Sequence, residues 1–113
     1  MITYWHNPRC SKSRAGLALL QERGAETEVR LYLQDAPSVE ELKAVQTALG
    51  LSVVEMMRTG DSMFKELGLT KQSVEAELLA AMAAQPTLIE RPIAIAGNKA
   101  AIGRPTENIA GLL

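Results

Sequence analysis

The order of hydrophobic patterns at the start of the chain restricts its fold more than any other feature. Ile2 to Trp5 is a short apolar and aromatic run that ends at His6-Asn7-Pro8, where the Asn-Pro pair marks a turn. From Lys12 onward Ala15, Leu17, Ala18, Leu19 and Leu20 are good helix formers. Gly24 stands where a helix C′ residue would, so a helix is predicted over about 12 to 23. Val29-Arg30-Leu31-Tyr32-Leu33 then alternates as a strand does. Strand, helix and strand in so short a span imply a parallel βαβ unit with a right-handed crossover.

The middle of the chain reads as helical. Ser38-Val39-Glu40-Glu41 has capping-box spacing after Pro37, and Leu42, Val45 and Leu49 recur at helical intervals up to Gly50. A second box, Ser52-Val53-Val54-Glu55, opens a short helix towards Arg58, and Gly60-Asp61 punctuates the chain. Ser73 to Ala84 is predicted as a further helix, stopped by Pro86. The last quarter changes period: Ile93-Ala94-Ile95 and Ala100-Ala101-Ile102 flank Gly97-Asn98-Lys99 as an antiparallel hairpin, and Thr106 to Leu113 suits a terminal helix. The expected fold class is therefore α/β: βαβ, a helical insertion, then ββα. At 113 residues, with no repeat or linker, a single domain over 1–113 is expected.

Composition narrows the partners. Twelve Lys and Arg residues against 13 Asp and Glu give a net charge of -1, which creates no long-range field for nucleic acid or an anionic membrane. No apolar run approaches the roughly 20 residues of a membrane helix, and the first residues lack a basic stretch followed by an apolar one. A cytoplasmic protein that touches neither membrane nor nucleic acid is expected, and a monomer, because no long exposed apolar helix demands a partner. The scattered methionines read as core filler, and no metal site is expected.

The single cysteine, Cys10, cannot form an internal disulfide. Free cysteines are commonly buried structural residues. This one, however, lies between the strand-ending turn and the first turn of the predicted helix, where free N–H groups and the helix dipole favour a thiolate. Lowering a thiol pKa by about 2 units requires about 2.7 kcal/mol of differential stabilisation. A helix terminus supplies typically about 0.3 to 1 kcal/mol, so other donors must contribute. The candidates nearby are His6, Ser11, Ser13 and Arg14, together with the N–H groups of residues 11 to 13; Arg14 reads as turned to solvent. Cys10-Ser11-Lys12-Ser13 has the spacing of a Cys-x-x-Cys motif with serine in the resolving position. A lone thiol of this kind can form an adduct or a mixed disulfide, which an outside thiol must resolve.

The stretch Tyr4-Trp5-His6-Asn7-Pro8-Arg9-Cys10-Ser11-Lys12-Ser13-Arg14 resembles the active-site loop of the glutaredoxin-coupled arsenate reductases, a thioredoxin-like family. Met57-Arg58-Thr59, Leu88-Ile89-Glu90-Arg91-Pro92-Ile93 and Ile102-Gly103-Arg104-Pro105 resemble, in the family's order, the segments bearing its three anion-binding arginines. The resemblance implies a thioredoxin-like core with Cys10 as nucleophile, and Arg58, Arg91 and Arg104 as the oxyanion ligands. His6, Ser13 and Pro92 take supporting places. Taken singly, each arginine reads as a solvated surface residue. Together they match three negative charges, those of an arsenate dianion plus a thiolate, and arginine suits planar bidentate contacts. The resemblance also implies a cis Arg91-Pro92 bond, while Trp5, a bulky aromatic beside the loop, reads as packing on the core.

On this reading the chain reduces arsenate to arsenite for arsenic detoxification, with glutathione as co-substrate, glutaredoxin as partner and no tightly bound cofactor. Two other readings keep the fold. One is a glutathione-dependent thiol-disulfide reductase. The other is an RNA-polymerase-binding regulator of the Spx type, although such proteins carry a Cys-x-x-Cys switch and Ser13 replaces its second cysteine here.

Overall fold

The computed structural model describes residues 1–113, which divide into two compact units, Met1–Asp35 with Arg91–Leu113, and Ala36–Glu90. The first unit contains β1 (Ile2–Trp5), α1 (Ser11–Glu22), β2 (Thr27–Arg30), β3 (Ile93–Ala96), β4 (Lys99–Ile102) and a terminal 3₁₀ helix, Thr106–Leu112. Its four-stranded sheet has the order β2-β1-β3-β4. β1 and β2 are parallel, whereas β3 is antiparallel to both β1 and β4. The βαβ and ββα halves thus share one mixed sheet, the thioredoxin-like arrangement expected from the pattern and the resemblance.

Local signals account for most element ends. α1 closes with Gly24 at φ 66; the N–H groups of Gly24 and Ala25 donate to the carbonyls of Gln21 and Leu20, the paired bonds of a Schellman ending. β2 ends earlier than the alternation suggests. After Arg30 the chain turns, with Gln34 and Asp35 N–H groups donating to Leu31 O and Arg30 Nε held 3.3 Å from an Asp35 carboxylate oxygen. Residues 31 to 33 therefore leave the sheet, and their alternation reflects a buried Tyr32 between two exposed leucines. The terminal helix is of the 3₁₀ kind.

One face of the sheet is covered by α1 and the terminal helix. Ile2, Tyr4, Leu20, Ala94 and Ile109 form the buried cluster between them, with Leu17, Leu19 and Leu112 packed on it. Trp5 is buried, as expected, and carries the Arg30 guanidinium 6.0 Å from its ring centre.

The second unit contains α2 (Val39–Leu49), α3 (Ser62–Glu66), α4 (Glu75–Ala84) and two 3₁₀ turns, Val54–Met56 and Pro86–Leu88. The Ser38–Glu41 capping box is present in both directions, and Gly50 ends α2 at φ 69. The second box is only half formed: Glu55 Oε1 accepts from Ser52 N–H and hydroxyl, but the box opens no more than a single 3₁₀ turn. α3 has no counterpart in the sequence pattern; Asp61 caps it by accepting the Met63 N–H at 2.9 Å. α4 starts two residues later than predicted, after Val74, and Pro86 opens a 3₁₀ turn once it has ended. Met56, Met57 and Met82 are buried, consistent with core filling. No helix is long and apolar enough to cross a membrane.

Candidate functional site

Cys10 occupies the N-cap of α1, with extended backbone at φ -96, ψ 122. The preceding turn is closed by Cys10 N–H donating to Asn7 O at 3.0 Å and by Arg9 N–H donating to Asn7 Oδ1 at 3.1 Å. Arg14 is exposed, yet its Nη1 donates to Pro8 O at 2.8 Å, so it straps the turn to the helix. The half-buried sulfur makes no capping hydrogen bond of tight geometry. Burial alone would push its thiol up. The Ser13 N–H, the Arg91 guanidinium and the Lys12 N–H together outweigh that and hold it below its ordinary value. The helix N–H groups therefore do not act alone on the thiol: a cation from elsewhere in the chain joins them.

That cation comes from the register of the hairpin. Ile93 pairs with Ile102, so the residues just outside the ladder, Arg91 and Arg104, fall opposite each other. Trp5 pairs with Ile93, which brings the end of β1, and hence the Cys10 loop, to the same edge of the sheet. Arg104 Nε donates to Arg91 O at 2.7 Å, and Arg104 Nη2 lies 3.8 Å from Cys10 Sγ. The Arg91-Pro92 bond is cis, as expected, and Arg104-Pro105 is cis as well. Only the repeated Arg-Pro pair in the sequence hints at the second. Pro92 is buried and accepts the Gly103 N–H at 2.9 Å through its carbonyl. A side chain at Gly103 would fall 2.8 Å from Pro92 Cγ and 2.7 Å from Ile109 Cδ1.

Ser13 and His6 form the floor of the loop. Ser13 is buried; its Oγ accepts the Asn7 N–H at 2.9 Å and lies 2.7 Å from His6 Nδ1. Burial, and secondarily the Arg14 charge, push the His6 ring below its usual value. This favours the neutral ring, whose Nδ1 can accept the Ser13 hydroxyl proton. Sequence reading missed Tyr4, whose buried hydroxyl donates to Ser13 O at 2.6 Å; a strand tyrosine facing a helix has no sequence signal of its own.

Arg58 belongs to the second unit. There its N–H donates to Leu88 O at 2.7 Å, and its Nη1 forms an ion pair with Asp61 at 3.0 Å. In the sequence Asp61 reads only as punctuation; the i,i+3 spacing to Arg58 is the available signal. No group of three or more His, Cys, Asp or Glu residues is placed to hold a metal ion.

A thiol held low at a helix start, with two guanidinium groups beside it, can attack an electrophilic centre that carries anionic oxygens. Comparison with known proteins agrees with this chemistry. The family model described as "ArsC family" matches residues 5–112. A protein of Neisseria meningitidis named arsenate reductase is 51% identical over 114 residues, covering 99% of this chain and 97% of its own. A Haemophilus influenzae protein of the same name is 46% identical, covering 99% and 98%. The solved structure of an arsenate reductase from Vibrio cholerae superposes with a TM-score of 0.95 at 46% identity, covering 99% of this chain and 97% of its own.

Proposed function

Since the chain belongs to the ArsC family, we propose that it reduces arsenate to arsenite through a covalent adduct on Cys10, with glutathione and glutaredoxin supplying the electrons. The observation that carries this reading is the convergence of the Cys10 sulfur with the Arg91 and Arg104 guanidinium groups at one edge of the sheet.

The Cys10 thiolate attacks arsenic; an As–S bond forms, and one arsenate oxygen leaves as water after protonation. Arg91 and Arg104 balance the charge that gathers on the remaining oxygens. Arg58 is the third arginine of the set by its family segment. His6 and Ser13 hold the loop that carries the nucleophile. Glutathione thiol then condenses with the adduct and releases a second water. A glutaredoxin thiolate attacks the glutathione sulfur, the As–S bond to glutathione breaks, and its electron pair stays on arsenic, which becomes As(III). The oxidised product is a glutaredoxin–glutathione mixed disulfide, and hydrolysis frees arsenite from Cys10. An external donor is required because the chain has one cysteine.

The test is NADPH consumption coupled through glutathione reductase, glutathione and glutaredoxin, with and without arsenate. Arsenate-dependent consumption that Cys10→Ser abolishes is the expected result. Full turnover by Cys10→Ser, or reduction of a glutathionylated substrate with no response to arsenate, would overturn the reading.

A further inference from the structure

Tyr4 sits in the middle of β1, paired with Val29 on one side and Ala94 on the other, and is fully buried. Its hydroxyl reaches into the first turns of α1 and donates to Ser13 O at 2.6 Å. The Leu17 N–H, the donor a regular helix offers to that carbonyl, approaches the same phenolic oxygen. The hydroxyl thus sits against one step of the continuous helix α1. Room for it exists because residue 16 is glycine: a Cβ there would fall 2.2 Å from the Tyr4 oxygen.

Ser13 is held at two points as a result. Tyr4 holds its carbonyl, and Asn7 N–H with His6 Nδ1 holds its Oγ. Its backbone N–H is the N3 amide of the helix that Cys10 caps, the amide an N-cap side chain faces, and among the influences on the Cys10 thiol it is the strongest that lowers it against the larger effect of burial.

We propose that Tyr4, seated in the notch left by Gly16, is a positioning residue for the reaction: by fixing the Ser13 carbonyl it aims the Ser13 N–H at Cys10 and sets how much thiolate is present. The proposal deepens the reading above and rests on Cys10 as nucleophile. Tyr4 does not itself exchange a proton in the working range. Burial first, eased by the Ser13 contact and reinforced by the Cys10 charge, pushes it up to about 12. The other charged or titratable groups around Cys10 are Arg91 and Arg104 from the hairpin, His6 from the end of β1, and Lys12 and Arg14 on α1; none touches the Tyr4 hydroxyl in this arrangement.

Tyr4→Phe keeps the ring in the core, and the Ser13 carbonyl retains the Leu17 N–H of the helix ladder as a donor, so the variant should fold. The readout is the Cys10 thiolate fraction, followed by ultraviolet absorbance and by alkylation rate against pH. Because this requires no arsenate, its failure is distinguishable from failure of the reductase reading. The expected result is a higher midpoint and about threefold to tenfold less thiolate at neutral pH, with turnover reduced to match and recovering above the new midpoint. Gly16→Ala, which expels the hydroxyl while keeping tyrosine, should move the midpoint the same way. In the wild-type protein the Tyr4 hydroxyl proton should exchange slowly and its NMR signal should shift as Cys10 titrates. An unchanged midpoint in a folded Tyr4→Phe or Gly16→Ala protein, or a Tyr4 signal blind to Cys10, would overturn the proposal.

Discussion

Arg104 reaches across the hairpin to Arg91: its Nε donates to the Arg91 carbonyl at 2.7 Å while its Nη2 stands 3.8 Å from the Cys10 sulfur. A single guanidinium therefore ties the two arginine-bearing loops together and presents charge to the thiol. Lysine could supply the charge but not both contacts in one plane.

Arg104→Lys should accordingly behave more like Arg104→Ala than a conservative change would. The alanine variant should lose about tenfold in kcat/KM for arsenate, or about 1.4 kcal/mol, a modest figure because the side chain is exposed. Steady-state kinetics with saturating glutathione and glutaredoxin measure it; a lysine variant at wild-type efficiency would remove the geometric argument.

The lowered Cys10 thiol makes stability depend on pH in a definite direction. The folded pKa lies below the unfolded one, so the thiolate contributes stability that is complete above the unfolded value and is lost as pH falls through the folded value. Urea denaturation of the wild type and Cys10→Ser at several pH values should show the difference between them shifting in favour of the wild type as pH rises through that window.

His6 is the chain's one histidine, so its ring signals are unambiguous by NMR. They should titrate below the usual value of about 6.5, because burial, then Arg14, disfavours the cation. The unfolded state then binds the proton more readily, and stability falls as pH drops through the unfolded value. Arg14→Ala should move the midpoint part of the way back up. A midpoint at or above the usual value would contradict the buried, neutral ring.

Gly103→Ala would press a methyl between Pro92 and Ile109. Overpacking of this kind costs about 1 to 3 kcal/mol, and here it would also displace the loop that carries Arg104. Denaturant melts should show the loss, with arsenate kinetics falling alongside; a fully stable variant would mean the site yields more easily than its packing implies.

The parts of the fold that could be read from sequence are those in which a few neighbouring residues satisfy one another. The Ser38–Glu41 box, the Gly24 ending of α1 and the Gly97-Asn98 hairpin are all closed by bonds within a few residues. Where a pattern depended on something distant, it misled. Residues 31 to 33 alternate like a strand, but their would-be partner β1 ends at Trp5, so the ladder stops at Arg30 and the alternation only seats Tyr32 in the core between two exposed leucines. The half-formed second box and the unforeseen α3 have the same origin, since short elements gain most of their stability from packing.

By itself the sequence determined that a lone thiol stands at a helix start after a strand, and that Arg-Pro pairs flank a hairpin near the other end of the chain. The tertiary structure decided what that thiol meets. Antiparallel pairing of β1 with β3, between segments almost a chain length apart, brings Arg91 and Arg104 to Cys10. It also seats the Tyr4 hydroxyl on the Ser13 carbonyl in the space that Gly16 leaves. Neither is written in local propensity, because sheet register and side-chain insertion are chosen by the burial of a whole face at once.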